Sequence, residues 1–377
     1  MFFKLLKDAL KVKNVRNKIL FTIFIIFVFR VGTHVTVPGI NAESLKQLSD
    51  LPFLNMLNLV SGNAINNFSI FSMGVSPYIT ASIIVQLLQM DIYPKFVEWG
   101  KQGEVGRRKL NQATRYITLV LAFVQSIGIT ASFNTLSSIS LVKTPNISTY
   151  LLIGSILTAG SIIVTWLGEQ ITDKGFGNGV SMIIFSGIIA SIPKMFSTIY
   201  EDFFVNVRTG DLTRSYIIVA LLIVVGLAIV FFTTFVQQAE YQIPIQYTKL
   251  VQGAPTNSYL PLKVNPAGVI PVIFASSITT IPSTILPFFS KVTWLSHLQG
   301  LLSYNTPSGM ITYAILIILF SFFYTFVQVN PEKTAEYLQK NGSYIPSVRP
   351  GRETEKYMSS LLKRLATIGA VFLAFIS

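Results

Sequence analysis

Ser215-Tyr-Ile-Ile-Val-Ala-Leu-Leu-Ile-Val-Val-Gly-Leu-Ala-Ile-Val-Phe-Phe-Thr-Thr-Phe-Val236 runs for 22 residues without a charged side chain. A bilayer core about 30 Å thick asks for about 20 apolar residues at 1.5 Å each, so this stretch is a membrane span. Further candidate spans occupy 19–36, 73–90, 116–134, 149–167, 180–198, 267–287 and 309–328. The final run, 364–377, holds only about a dozen apolar residues, and by length it falls short of a full crossing.

Composition agrees with that class. Hydrophobic residues make up 51% of the 377 and charged residues 12%, about half the share in soluble domains. The net charge of +13 would suit a nucleic-acid binder only if it formed one soluble basic face. Here it is divided among connections separated by spans. Cysteine is absent, which removes disulfides and thiolate chemistry, and the two histidines, His34 and His297, stand far apart. The first apolar run follows an 18-residue charged leader and lacks a small-residue cleavage site, so it is expected to stay on the chain.

Of 29 Lys and Arg, 22 lie in 1–18, 91–115, 168–179, 237–265 and 329–364. The alternate connections, 37–72, 135–148, 194–214 and 287–308, hold six. Cytoplasmic connections carry the Lys/Arg excess, so the N-terminus is expected inside. Thirteen of the 22 sit in 91–115 and 329–364 alone, a concentration that topology does not require.

Four segments stand out. Residues 55–69 mix apolar side chains with five asparagines, too polar for lipid. They form either an ordinary outer loop or a segment inside protein or a wet cavity. Lys101-Gln-Gly-Glu-Val-Gly-Arg-Arg-Lys109 is a glycine-hinged basic turn leading into a helix, suited to headgroup anchoring or to docking. In Gly175-Phe-Gly-Asn-Gly179, Asn178 is placed to cap the helix that follows. In Tyr344-Ile-Pro-Ser-Val-Arg-Pro-Gly351, Pro346 and Pro350 are expected to hold the backbone extended around Arg349.

These loops, with Met73-Gly-Val-Ser-Pro-Tyr-Ile-Thr-Ala-Ser-Ile-Ile-Val-Gln-Leu87, Asn265-Pro-Ala-Gly-Val-Ile-Pro-Val-Ile-Phe-Ala-Ser-Ser277 and Asn330-Pro-Glu-Lys-Thr-Ala-Glu336, resemble the SecY family over essentially the whole chain. The family forms the central subunit of the bacterial protein-conducting channel. The resemblance implies an all-α polytopic membrane protein of two inverted five-span halves around an hourglass pore, with a lateral gate between spans two and seven. On that plan 1–18 is a cytoplasmic segment, 19–198 the first half and 199–377 the second, which lacks the tenth span and part of the ninth. It implies a plug at 55–69, with Asn55, Leu59, Ser61, Gly62, Asn63, Ile65 and Asn66 facing the wet funnel. It also implies an aliphatic ring of Ile79, Ile83, Ile184, Ile188 and Ile273, in which each i,i+4 pair shares a helix face.

The resemblance further implies docking of the SecA ATPase and the ribosome through Arg107, Arg108, Lys109, Lys249, Arg349 and Arg352. Its other implied partners are the SecE and SecG subunits, preprotein signal sequences and the lipid bilayer of the cytoplasmic membrane. No cofactor, metal or catalytic residue is implied. One departure concerns 241–249: many relatives carry an arginine pair where this chain has Tyr241-Gln242. An inverted-repeat carrier of small solutes is the alternative class. It is disfavoured because the spans lack the midplane charges such carriers use for coupling.

Overall fold

The computed structural model describes residues 11–41, 64–89, 93–136, 142, 146–205, 212–247, 258–285 and 306–377. In chain order the helices are α1 (Lys13–Gly32), α2 (Ser76–Leu88), α3 (Pro94–Lys101), α4 (Gly103–Leu136), α5 (Ile147–Lys174) and α6 (Gly179–Tyr200), which runs into a π turn at Glu201–Val205. Then follow α7 (Leu212–Gln238), strands β1 (Glu240–Tyr247) and β2 (Ser258–Lys263), α8 (Ile270–Ile285), α9 (Pro307–Gln328), α10 (Pro331–Lys340), β3 (Ser343–Tyr344) and α11 (Arg352–Ile376). Among the described residues, α4, α5, α6, α7, α9 and α11 are long and apolar enough to cross a membrane, while α2 and α8 are apolar but shorter. The chain divides into two compact units, residues 1–202 with 281–293 and residues 203–280 with 294–377.

Several expected loops are helix. The third span begins inside the basic segment, since α4 starts at Gly103 and runs unbroken for 34 residues. The fourth continues through 168–174 as part of α5. The first ends earlier than expected, at Gly32, where the Thr33 amide donates to Phe29 O and closes the C-terminal turn. The last helix is 25 residues long because its first half, Arg352–Arg364, is helical although charged. Hydropathy marks where a helix lies in hydrocarbon, and the backbone keeps its bonds beyond that boundary.

In the first unit α5 is the hub, packed against α1, α4 and α6. Its contacts use small residues, as helices do in lipid, where close approach replaces the hydrophobic drive. The Ser126 hydroxyl of α4 donates to the Gly154 carbonyl of α5 at 3.1 Å. The Gly179 amide at the start of α6 donates to the Thr172 hydroxyl at 2.9 Å. Asn178 caps α6 as expected, accepting from the Ser181 amide at 3.1 Å.

Residues 64–75 are turns rather than helix and lie between α1 and α5. Ile70 donates to Val35 O and Val37 donates to Phe68 O, while Ser161 of α5 donates its hydroxyl to Gly74 O at 3.0 Å. Phe71 stacks on Phe29 with centroids 6.0 Å apart. Ile65, Phe68 and Met73 join Val37, Val142, Ile153 and Leu157 in a buried cluster. A Cβ on Gly160 would collide with the Ile70 carbonyl, so only glycine lets α5 come this close.

The second unit holds a feature the hydropathy pattern hides. Connections 237–265 and 329–364 fold together: the sheet order is β2-β1-β3, antiparallel throughout, and α10 packs on β3 and α11. Ile243, Ile245, Leu262, Leu338, Ile345, Met358, Leu362 and Leu365 form its core. The expected all-α architecture therefore carries a small three-stranded sheet. Two prolines fit it because of register. The Val264 amide bonds Ala239 O, so the bonded rungs join odd residues of β1 to even residues of β2. Pro244, opposite Tyr259, and Pro261, opposite Gln242, fall on the intervening rungs and remove no ladder bond. Pro261 also takes a donor from the open edge of β2, which blunts strand addition there.

Gly160→Ala is expected to destabilise the protein by about 1–3 kcal/mol through overpacking. Lowered thermal unfolding in detergent checks this, and an unchanged midpoint would contradict the close contact.

Candidate functional site

The candidate ring residues occupy three helices. Ile79 and Ile83 lie on α2 and are buried, 7% and 2% exposed. Pro77 in the first turn of α2 starts the helix, and α2 packs along α4. On α6, Ile184 is half-buried and Ile188 is 46% exposed, while the intervening Ser186 and Gly187 are buried. The Ser186 hydroxyl is buried and has no hydrogen-bond partner among the described residues. Ile273, on α8, belongs to the second unit and is half-buried. The i,i+4 spacing thus holds on both α2 and α6, within the first unit.

Of the candidate plug residues, Asn55, Leu59, Ser61, Gly62 and Asn63 lie outside the described residues. Ile65 is 6% exposed and belongs to the buried cluster, and Asn66 is half-buried beside it. The C-terminal end of this segment, residues 64–69, is mostly buried. From residue 64 onward the segment is anchored, because Phe68 and Ser69 pair their backbone with the turn after α1.

The basic residues form two displays. In the first unit Arg107, Arg108 and Lys109 are exposed in the opening turns of α4. Lys109 donates to Gln102 at 3.3 Å. Two turns further on, Arg115 forms a fork with Glu169 of α5, Nε to Oε1 at 2.9 Å and Nη2 to Oε2 at 2.6 Å. A bidentate pair fixes angle as well as distance, so the fork ties the basic end of α4 to α5. Hydropathy and charge counting did not find Glu169. Its signal was an acid near the end of one span and an arginine at the edge of the span before it.

In the second unit Arg349 and Arg352 are exposed, and Lys249 lies outside the described residues. The backbone around Arg349 is not extended. Val348 donates to Ile345 O across a turn in which Ser347 has φ +68°. The Thr354 hydroxyl then accepts the task of fixing the exit, donating to Arg349 O at 2.9 Å. Arg349 is thus held by a turn and a side-chain bond, on a scaffold with its own core.

A protein-family model described as SecY matches residues 69–377. The chain belongs to the SecY family. Among curated relatives, the protein translocase subunit SecY of Streptococcus gordonii is 71% identical, with all of this chain aligned to 87% of that protein. The subunit of the same name from Bacillus subtilis is 49% identical over all of this chain and 88% of its own length. Among solved structures, one of a protein-conducting channel matches with TM-score 0.63 at 14% identity, covering 96% of this chain and 84% of that one. Sec61 in a canine ribosome–channel complex matches with TM-score 0.60 at 14% identity, over 96% and 84%. The two structural likenesses show the fold, a multi-pass helical membrane architecture shared by SecY and Sec61 channels.

Within this SecY-family chain the sheet module is the support of Arg349 and Arg352. Met358→Ala, at a site of 0% exposure, is expected to cost about 2–5 kcal/mol there. Faster tryptic cleavage after Arg352 in the intact protein checks it, and an unchanged digestion pattern would show that the module is not held by its core.

Proposed function

We propose that this chain is the pore-bearing subunit of a protein-conducting channel that moves unfolded preproteins across the bacterial cytoplasmic membrane and releases apolar segments into the bilayer. The observation that carries the reading is family membership across 69–377, combined with alignment of all of this chain to 87% of a protein named translocase subunit SecY. On this reading Ile79, Ile83, Ile184, Ile188 and Ile273 supply an apolar constriction. Such a collar holds back water and ions by dewetting, and it offers no fixed polar partner that would retain one polypeptide sequence over another. The channel performs no bond chemistry, and the driving energy comes from partners.

The partners are those that family membership implies, and charge and placement suit them. Arg107, Arg108 and Lys109 suit phosphate contacts with ribosomal RNA, where Lys and Arg dominate affinity. Arg349 and Arg352, on the sheet module, suit the SecA ATPase, with Lys249 on the same connection. SecE and SecG complete the assembly, and signal sequences enter between apolar helices. The Lys/Arg excess supports a cytoplasmic N-terminus.

Cysteines introduced at Ile83 and Ile188 are expected to crosslink to a preprotein stalled in transit. Transport of a small solute with no such crosslink would reject the channel. Arg349→Glu is expected to lower SecA-driven translocation about tenfold or more, the scale of one desolvated charge contact. Co-purification with SecE should be unchanged in that variant, and normal SecA-driven rates would remove Arg349 from the docking surface.

A further inference from the structure

Helix α3 has no role in the reading above. It is eight residues long and none of them is buried. Tyr93, just before it, contacts Phe96 with centroids 5.7 Å apart, and Phe96 contacts Trp99 at 5.1 Å. Tyr93 is 45% exposed, and Phe96, Val97 and Trp99 are half-buried, so neighbouring helices cover this aromatic row only in part. At about 100° per residue, Trp99, Phe96, Gly100 and Val97 span an arc of about 160°. Lys95 and Lys101 border that arc on its two sides, and Glu98 lies opposite its centre; all three are exposed.

The position of α3 is fixed. The Trp99 carbonyl lies against Gly106 of α4, where a Cβ would collide with it. A Cβ on Gly100 would lie 3.6 Å from the Gln89 side chain, which follows the last apolar turn of α2. Helix α3 therefore sits where α2 leaves the hydrocarbon. Aromatic rings collect at that depth, and flanking lysines reach outward to headgroups while their stems stay on the apolar side.

We propose that α3 is an interfacial helix that seats this end of the first unit on the bilayer. Its Tyr93–Phe96–Trp99 row enters the headgroup layer, Lys95 and Lys101 meet anionic lipid phosphates, and Glu98 faces water. The charge arrangement selects a lipid surface as the occupant: a cation on each border of an apolar arc, with the acid at its far side, matches a flat anionic plane.

The test uses the full chain with Trp99 as its single tryptophan (Trp166→Phe, Trp294→Phe), reconstituted in phosphatidylcholine vesicles with and without phosphatidylglycerol. Trp99 fluorescence is expected to be quenched by lipids brominated near the headgroup, more strongly with phosphatidylglycerol. In Lys95→Gln/Lys101→Gln the phosphatidylglycerol-dependent part is expected to be lost. A companion chain keeping only Trp166, which is 53% exposed on α5, verifies insertion through quenching by mid-chain bromines. With insertion verified, Trp99 quenched by aqueous acrylamide but not by brominated lipid overturns the proposal, and so does Trp99 insensitive to both. Retention of the phosphatidylglycerol dependence after both lysine substitutions overturns the anionic contact.

Discussion

Residues 64–75 impose the constraint on which the first unit depends. They are irregular backbone set among apolar helices, where water is not at hand to answer free amides and carbonyls. Each unmet group there costs as much as a lost hydrogen bond with its desolvation, so neighbours must supply partners. The turn after α1 pairs with Phe68, Ser69 and Ile70, and Ser161 of α5 reaches Gly74. Those bonds require α5 to stand very close, which Gly160 permits. The start of α2, and with it the depth of Ile79 and Ile83, follows from where this segment is pinned.

The second unit meets a different problem, the display of charge. An arginine on a mobile loop loses conformational entropy when a partner immobilises it. Here the cost falls on the fold instead. Two connections some 90 residues apart in the chain share one core, and the turn carrying Arg349 is closed by Thr354. The basic end of α4 is treated similarly by the Arg115–Glu169 fork. Both charged surfaces are held on packed secondary structure.

Much of this was legible in the sequence, and the gaps have physical causes. Spans are visible because hydrocarbon selects for apolar length, and the cap at Asn178 is visible because it is a local hydrogen bond. The continuation of α4 back to Gly103 and of α11 back to Arg352 was hidden, since hydropathy reports the solvent around a helix and not the helix itself. The sheet module was hidden for another reason: its core draws on residues 243–365, and short alternations such as Tyr259-Leu-Pro-Leu262 are faint beside long apolar runs. The anchoring of Ile65 and Phe68 depends on partners far along the chain, which residue types in 55–69 cannot reveal. The ring positions came from family resemblance; helical spacing alone fits packing equally well.

Among the described residues, the most apolar stretch of α7 has no buried residue, although Phe232 meets the Phe372 ring of α11 and Tyr216 meets Phe204. A helix in that position obeys a rule of quantity, not of arrangement: it must be long enough and apolar enough, while no side needs a particular shape. Away from Tyr216 and Phe232, one aliphatic residue can stand in for another along most of it without disturbing a neighbour among the described residues. The 22 residues that announce the membrane most loudly therefore carry the least information about this particular fold. The specifying information is concentrated in less conspicuous places, in a glycine facing a carbonyl, a serine reaching across to a turn, and two prolines on the silent rungs of a short sheet.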